Sequence, residues 1–151
     1  MSNWKGHLVG GIILTAILLI VNYFYEFVEI EGGLTFYLLI VGIVFFYALA
    51  PDLDLANGKL KVISTILGLG IILFFALTDK TNELIIAVII LAILWILPLF
   101  RGFGHRGHYH SLLFGILLSA PLIFIRWELA LVGFVSFWSH LLLDKIPFKI
   151  W

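Results

Sequence analysis

The sequence predicts an all-α, polytopic membrane bundle of about six transmembrane helices with both termini on the cytoplasmic side, and three observations carry that prediction. Of 151 residues, 63% are apolar and 12% charged, and the mean hydropathy is +1.18, well beyond ordinary soluble domains. Stretches without Asp, Glu, Lys or Arg recur at 8–25, 32–51, 62–78, 84–100, 107–125 and 129–143, each close to the roughly 17 to 25 residues of a spanning helix. With six spans, the N-terminus, the loops at 51–61 and 101–110 and the C-terminus share one side. That side holds Lys5, Lys59, Lys61, Arg101, Arg106, Lys145 and Lys149, against Lys80 and Arg126 on the other, the bias of a cytoplasmic face.

Each segment has its own reasons. The run at 8–25 follows Lys5 as a signal peptide would, but it is too long and has no small-residue cleavage pattern before Glu26, so it is expected to stay as the first helix. The second run ends at Pro51, which disfavours helix at Ala50 and forces a turn. Gly68 and Gly70 in the third run and Pro121 in the fifth are places where a helix can break. None of the runs alternates as a lipid-spanning strand would. Six helices of about 20 residues use about 120 positions, so the chain reads as one membrane domain, 1–151, with short loops. Gly6 and Gly10 have the spacing that permits close helix approach, and Trp4, Tyr23, Tyr25, Trp95, Trp127 and Trp151 read as interfacial anchors.

Composition also excludes. There is no cysteine, hence neither disulfides nor thiolate metal sites. The net charge of zero removes nucleic acid as a main partner; membrane lipids are the expected one.

All five histidines and three of the four aspartates fall at the edges of apolar runs, where ionisable groups are expensive and therefore point to a site. His7 opens the first span. Asp52 and Asp54 follow the second, two apart beyond the proline, so that a turn lets both carboxylates face one cavity. The segment Gly102-Phe103-Gly104-His105-Arg106-Gly107-His108-Tyr109-His110 presents imidazoles and a guanidinium on a flexible backbone, with Ser111 as a capping or supporting hydroxyl where His110 begins the fifth helix. His140 and Asp144 close the sixth span four apart, on one helix face. The six-span topology puts every one of these groups on the cytoplasmic side. Each cluster alone has a plainer explanation: an interfacial histidine, an acidic loop, a pair at a helix end. Together they give a candidate set of His7, Asp52, Asp54, His105, His110, His140 and Asp144, suited to zinc first and to iron or manganese as alternatives.

The ordered motifs Pro51-Asp52-Leu53-Asp54, His105-Arg106-Gly107-His108-Tyr109-His110-Ser111 and Ser139-His140-Leu141-Leu142-Leu143-Asp144, with His7 ahead of them, resemble those of the YdjM-like family of membrane-bound metal-dependent hydrolases. The resemblance runs over nearly the whole chain and implies a divalent metal site. Two features differ: Tyr109 stands where members commonly have Thr, and the sequence stops at Trp151 where they usually continue with a Thr/Gly/Pro-rich segment.

Seven candidate ligands exceed what one ion with an open position needs, so one or two ions are expected, with Asp52 or Asp54 as a bridge. Three carboxylates and two divalent ions sum to about plus one with neutral histidines, a balance that attracts an anionic substrate. Arg106 adds a planar fork suited to phosphate, and His108 or an outer carboxylate a proton for the leaving group. The expected activity is hydrolysis of a phosphoester of a lipid or other anionic substrate at the cytoplasmic face. A metal-ion or proton-coupled transporter competes with it, although the middles of the runs are apolar where transporters place ionisable groups. A noncatalytic scaffold held together by the metal is the third reading and predicts a closed coordination shell.

Overall fold

The computed structural model describes residues 4–26, 33–54, 59–96 and 108–150. Each expected apolar run forms a helix: α1 (Trp4–Tyr25), α2 (Leu34–Leu49), α3 (Lys59–Leu77), α4 (Thr81–Ile96), α5 (Leu112–Ser119) and α6 (Trp127–Leu143). Short 3-10 segments occupy Ala50–Asp54, His108–His110 and Ala120–Phe124, and no strand occurs among the described residues. The fifth run is shorter as an α-helix than the sequence suggests. Pro121 has no amide hydrogen and its ring crowds the preceding turn, so the chain tightens into the 3-10 segment at Ala120. By length and composition, α1, with 22 residues, is the one described helix able to cross a membrane; the other described apolar stretches run to 10–17 residues.

α6 is the centre of the packing. It lies against α1, α2, α5 and the 120–124 segment, and α1 also lies against α2. α3 and α4 pair with each other and reach the rest through the 50–54 segment, α2 and the 120–124 segment. The face that α1 buries carries His7, Gly11, Thr15 and Asn22, a single stripe at helical spacing, while Val9, Ile12, Ile13, Ile17 and Ile20 point outward. This is the reverse of a soluble helix, which hides its aliphatic side. The same outward aliphatic character appears at Ile66, Leu69 and Leu73 of α3, Ile85 and Val88 of α4, and Ile116 and Leu117 of α5.

Without a hydrophobic drive between helices in lipid, close backbone approach and hydrogen bonds hold them together. A Cβ on Gly11 would come within 2.7 Å of the Ala48 Cβ, so only glycine lets α1 approach α2 this closely. The Thr15 and Ser136 hydroxyls are 3.1 Å apart in the buried α1–α6 seam. The Tyr47 hydroxyl donates to the Leu118 carbonyl at 2.7 Å, tying α2 to α5.

The end of α6 is fixed by a tight turn. Lys145 and Ile146 donate their amides to Leu142 and Leu141 at 3.0 and 2.9 Å, the paired bonds of a Schellman motif, with Lys145 at φ 61 in the left-handed position usually held by glycine. The tail then turns back: Trp138 Nε1 donates to the Pro147 carbonyl at 3.1 Å, and the Lys149 carbonyl accepts from the Leu112 amide at 2.7 Å. In this way the C-terminal segment clasps the start of α5.

Candidate metal centre

Four elements deliver five ionisable side chains to one end of the bundle. His7 sits in the first turn of α1, Asp52 in the 3-10 turn that Pro51 imposes after α2, and His140 in the last turn of α6. Asp144 is the C-cap of that helix, its place set by the Schellman turn. His110 closes the 3-10 segment before α5. The sequence suggested that His110 begins the fifth helix; instead Ser111, with extended backbone, is the N-cap, and its hydroxyl accepts from the Phe114 amide at 3.2 Å. An N-cap residue stands outside helical geometry, so the imidazole before it is aimed into the bundle end.

The donor atoms are regularly spaced. His140 Nε2 lies 3.5 Å from Asp52 Oδ1 and 3.5 Å from Asp144 Oδ2. His110 Nε2 lies 3.7 Å from Asp52 Oδ1 and 3.6 Å from Asp144 Oδ2. On the other oxygen of the same carboxylate, His7 Nε2 is 3.5 Å from Asp144 Oδ1. The His7 and His140 rings stack at 3.6 Å between centroids, and His110 meets His140 edge-on at 5.3 Å. All three imidazoles are fully buried, their side chains 0–2% exposed, whereas the Asp52 and Asp144 side chains keep 12% and 10%.

These separations are too long for charge-assisted hydrogen bonds, which close to about 2.7–2.9 Å. They match instead the spacing of ligands around an ion: tetrahedral bonds of about 2.0–2.1 Å set neighbouring donors about 3.4 Å apart. The hydrogen bonding agrees. His140 Nδ1 is 2.9 Å from the Ala48 carbonyl; a carbonyl only accepts, so Nδ1 carries the proton and Nε2 presents its lone pair toward the carboxylates. His140 Nε2 and Asp144 Oδ1 are buried without a hydrogen-bond partner, and a lone pair held against two carboxylates calls for a cation. A buried imidazole whose second nitrogen donates to a carbonyl is the usual arrangement behind a metal ligand. Two groups could therefore hold an ion, His7 with His140 and Asp144, and Asp52 with His110 and His140. They share His140, and one imidazole nitrogen binds one ion.

Of the residues expected from the sequence, His7, Asp52, His110, His140 and Asp144 are brought together. His105 and Arg106 lie outside the described residues. Asp54 and His108 fall in the 3-10 segments, with their side chains outside the description. Among the described residues Asp144 turns one oxygen toward His7 and the other toward His110 and His140, while Asp52 turns Oδ1 toward His110 and His140. Sequence reasoning missed the Ala48 carbonyl, since any residue supplies one, and the Thr15–Ser136 pair, whose small hydroxyls do not stand out in an apolar run. It also missed the buried Glu128, paired with Arg126 while that guanidinium covers the Phe36 ring at 4.2 Å.

Fold and site together define a helical membrane protein with a buried group of potential metal ligands at one end. The chain belongs to the YdjM inner membrane protein family, whose model matches residues 1–147. Comparison with curated proteins found no match, and comparison with solved structures found none either.

Proposed function

We propose that this chain is a six-span membrane domain, 1–151, with both termini cytoplasmic, and that it is a metal-dependent hydrolase acting on a phosphoester of a lipid or other anionic substrate at the cytoplasmic membrane face. The observation that carries the reading is the donor set of Asp52, His110, His140 and Asp144, whose facing atoms are spaced at 3.5–3.7 Å. Support for several spans comes from the outward aliphatic faces of α1, α3, α4 and α5, which suit hydrocarbon and not water.

A bound divalent ion would supply Lewis acidity and lower the pKa of water toward neutrality. The residues of the chain do the rest. His110, His140, Asp52 and Asp144 would hold the ion, with His7 beside the free oxygen of Asp144. The Ala48 carbonyl fixes the His140 ring and its tautomer. Access comes from the carboxylate side, the part of the cluster that is not fully buried, and this favours an open position over the closed shell of a scaffold. Arg106 and His108 are proposed to bind the phosphate and to protonate the leaving alcohol, in line with their chemistry. Transport has one observation in its favour, the polar α1 stripe with Thr15 and Asn22.

Elemental analysis of untagged, detergent-purified protein tests the site, with the Asp52→Asn/His140→Ala double variant as reference. Zinc, iron or manganese bound to the wild type and lost in the variant, together with phosphatase, phosphodiesterase or lipase activity lost in parallel, is the expected result. No metal after reconstitution would overturn the reading. Metal without hydrolysis, but with ion flux into liposomes that depends on Asp52 and His140, would move it to transport.

A further inference from the structure

The side chains of the cluster are not equally well anchored by their own elements. His7 and His140 belong to helices of 22 and 17 residues, and His140 is also held by the Ala48 carbonyl. His110 stands just ahead of α5, an α-helix of eight residues, and a helix that short has little stability of its own. The first amides of any helix, moreover, find no partner within it. The start of α5, and His110 with it, therefore depends on groups from elsewhere in the chain.

The C-terminal segment supplies them. The Ser111 hydroxyl accepts from the Phe114 amide and the Ser111 carbonyl from the Gly115 amide. The two amides before these, of Leu112 and Leu113, donate instead to the carbonyls of Lys149 and Ile150, at 2.7 Å and a longer 3.4 Å. The 147–150 segment is in turn fixed to α6. The Lys149 amide donates to the Ile146 carbonyl at 3.2 Å, and Trp138 Nε1 donates to the Pro147 carbonyl at 3.1 Å. An indole N–H can only donate, and the bond it makes here closes residues 138–147 into a loop that contains Asp144. Trp138, Ile146 and Leu112 each pack against the core, so the strap is seated along its length. His110 and Asp144 come from different elements, yet His110 Nε2 lies 3.6 Å from Asp144 Oδ2. The strap joins them, since it carries Asp144 within its loop and caps α5 two residues beyond His110.

We propose that Trp138 is a positioning residue for His110: through the Pro147 carbonyl it fixes the 147–150 segment, whose carbonyls cap α5 and keep His110 in register with Asp144. The consequence for metal binding rests on the ion site of the hydrolase reading; the strap itself stands on these hydrogen bonds.

The test reads zinc affinity and amide exchange in the untagged full chain in detergent. By competition with a chelator dye, Trp138→Phe is expected to bind zinc about tenfold more weakly, the loss that follows removal of a group supporting a ligand. Added to His110→Ala, the same change should cost no more than about twofold, because its effect runs through a ligand already gone. Losses that add, as they would if the indole only stabilised the bundle, overturn the proposal. In metal-free protein, Trp138→Phe should speed exchange of the Leu112 amide about fivefold, the ratio set by the net contribution of one hydrogen bond, with α1 unchanged. Two glycines inserted after Pro147, which displace the Lys149 carbonyl and keep the indole, should do the same. A Leu112 amide that exchanges freely in the wild type overturns the strap even if neither variant folds. Zinc bound by the wild type, with Leu112 exchange indifferent to Trp138→Phe, also overturns it and leaves the metal reading standing. No zinc bound, with Leu112 exchange raised in Trp138→Phe, sinks the metal reading and leaves the strap.

Discussion

The part of the bundle that carries the ionisable cluster and the α3–α4 pair are put together in different ways. α1, α2 and α6 meet through small and polar residues: Gly11 against Ala48, Thr15 against Ser136, imidazole on imidazole. α3 and α4 have one close approach, where a Cβ on Gly68 would come within 2.8 Å of the flexible Leu91 side chain, and leave a cavity where they face α2. In lipid, apolar side chains gain little by exchanging hydrocarbon for one another, so fixed positions require close approach and hydrogen bonds. The comparison teaches that positional accuracy is concentrated where donor atoms must keep their spacing, and relaxed where an apolar gap is tolerable.

Substitution of the glycines should expose this contrast most strongly. Gly11→Leu forces side-chain atoms against the Ala48 Cβ, which cannot rotate away, and is expected to destabilise by about 3 kcal/mol in thermal or denaturant unfolding in detergent; Gly42→Leu, entering the cavity, should stay within about 1 kcal/mol of wild type. Equal losses in the two would break the comparison. Next in size, His140→Ala is expected to weaken metal binding by at least about 100-fold, read by competition with a chelator dye. Metal removal should raise amide exchange in α1, α2 and α6 while leaving α3 and α4 near their starting rates; a uniform rise would show the two regions to be one cooperative unit. Thr15→Val leaves the Ser136 hydroxyl without its partner across the seam and should cost about 0.6–1.7 kcal/mol, whereas Leu69→Val on the outward face of α3 should be nearly silent. The last effect is a gain. Lys145→Gly removes the cost of a left-handed conformation at a residue with a Cβ and should stabilise by about 1 kcal/mol, with metal content unchanged.

The helices were legible in the sequence because a membrane protein writes them as uninterrupted apolar runs, and all six runs became helices. Their ends were less so: Pro121 shortened α5, and Ser111 took the cap, because termination is decided by single backbone groups within a run. The grouping of His7, Asp52, His110, His140 and Asp144 could be anticipated because ionisable groups at the ends of apolar runs have few places to go, and an even number of apolar helices lies between them. What the sequence could not convey is how they are held. The Ala48 carbonyl is invisible in a string of side chains, and the role of Asp144 between two donor groups depends on a left-handed turn at a lysine, where pattern reasoning would look for glycine. The cavity likewise follows from how loosely two aliphatic helices meet a third, and aliphatic runs look alike whether or not they pack tightly.

The site draws His7 from the first helix and Asp144 from the cap of the last, and this ties its completion to biogenesis. As the chain emerges and inserts from its N-terminus, α1 finds lipid for its outward face at once, but its inward histidine has no companion until α6 arrives. An ion held by this cluster would therefore be captured only once α1 and α6 have come together. Until then the His7 imidazole lacks the Asp144 carboxylate that lies 3.5 Å from it in the folded bundle.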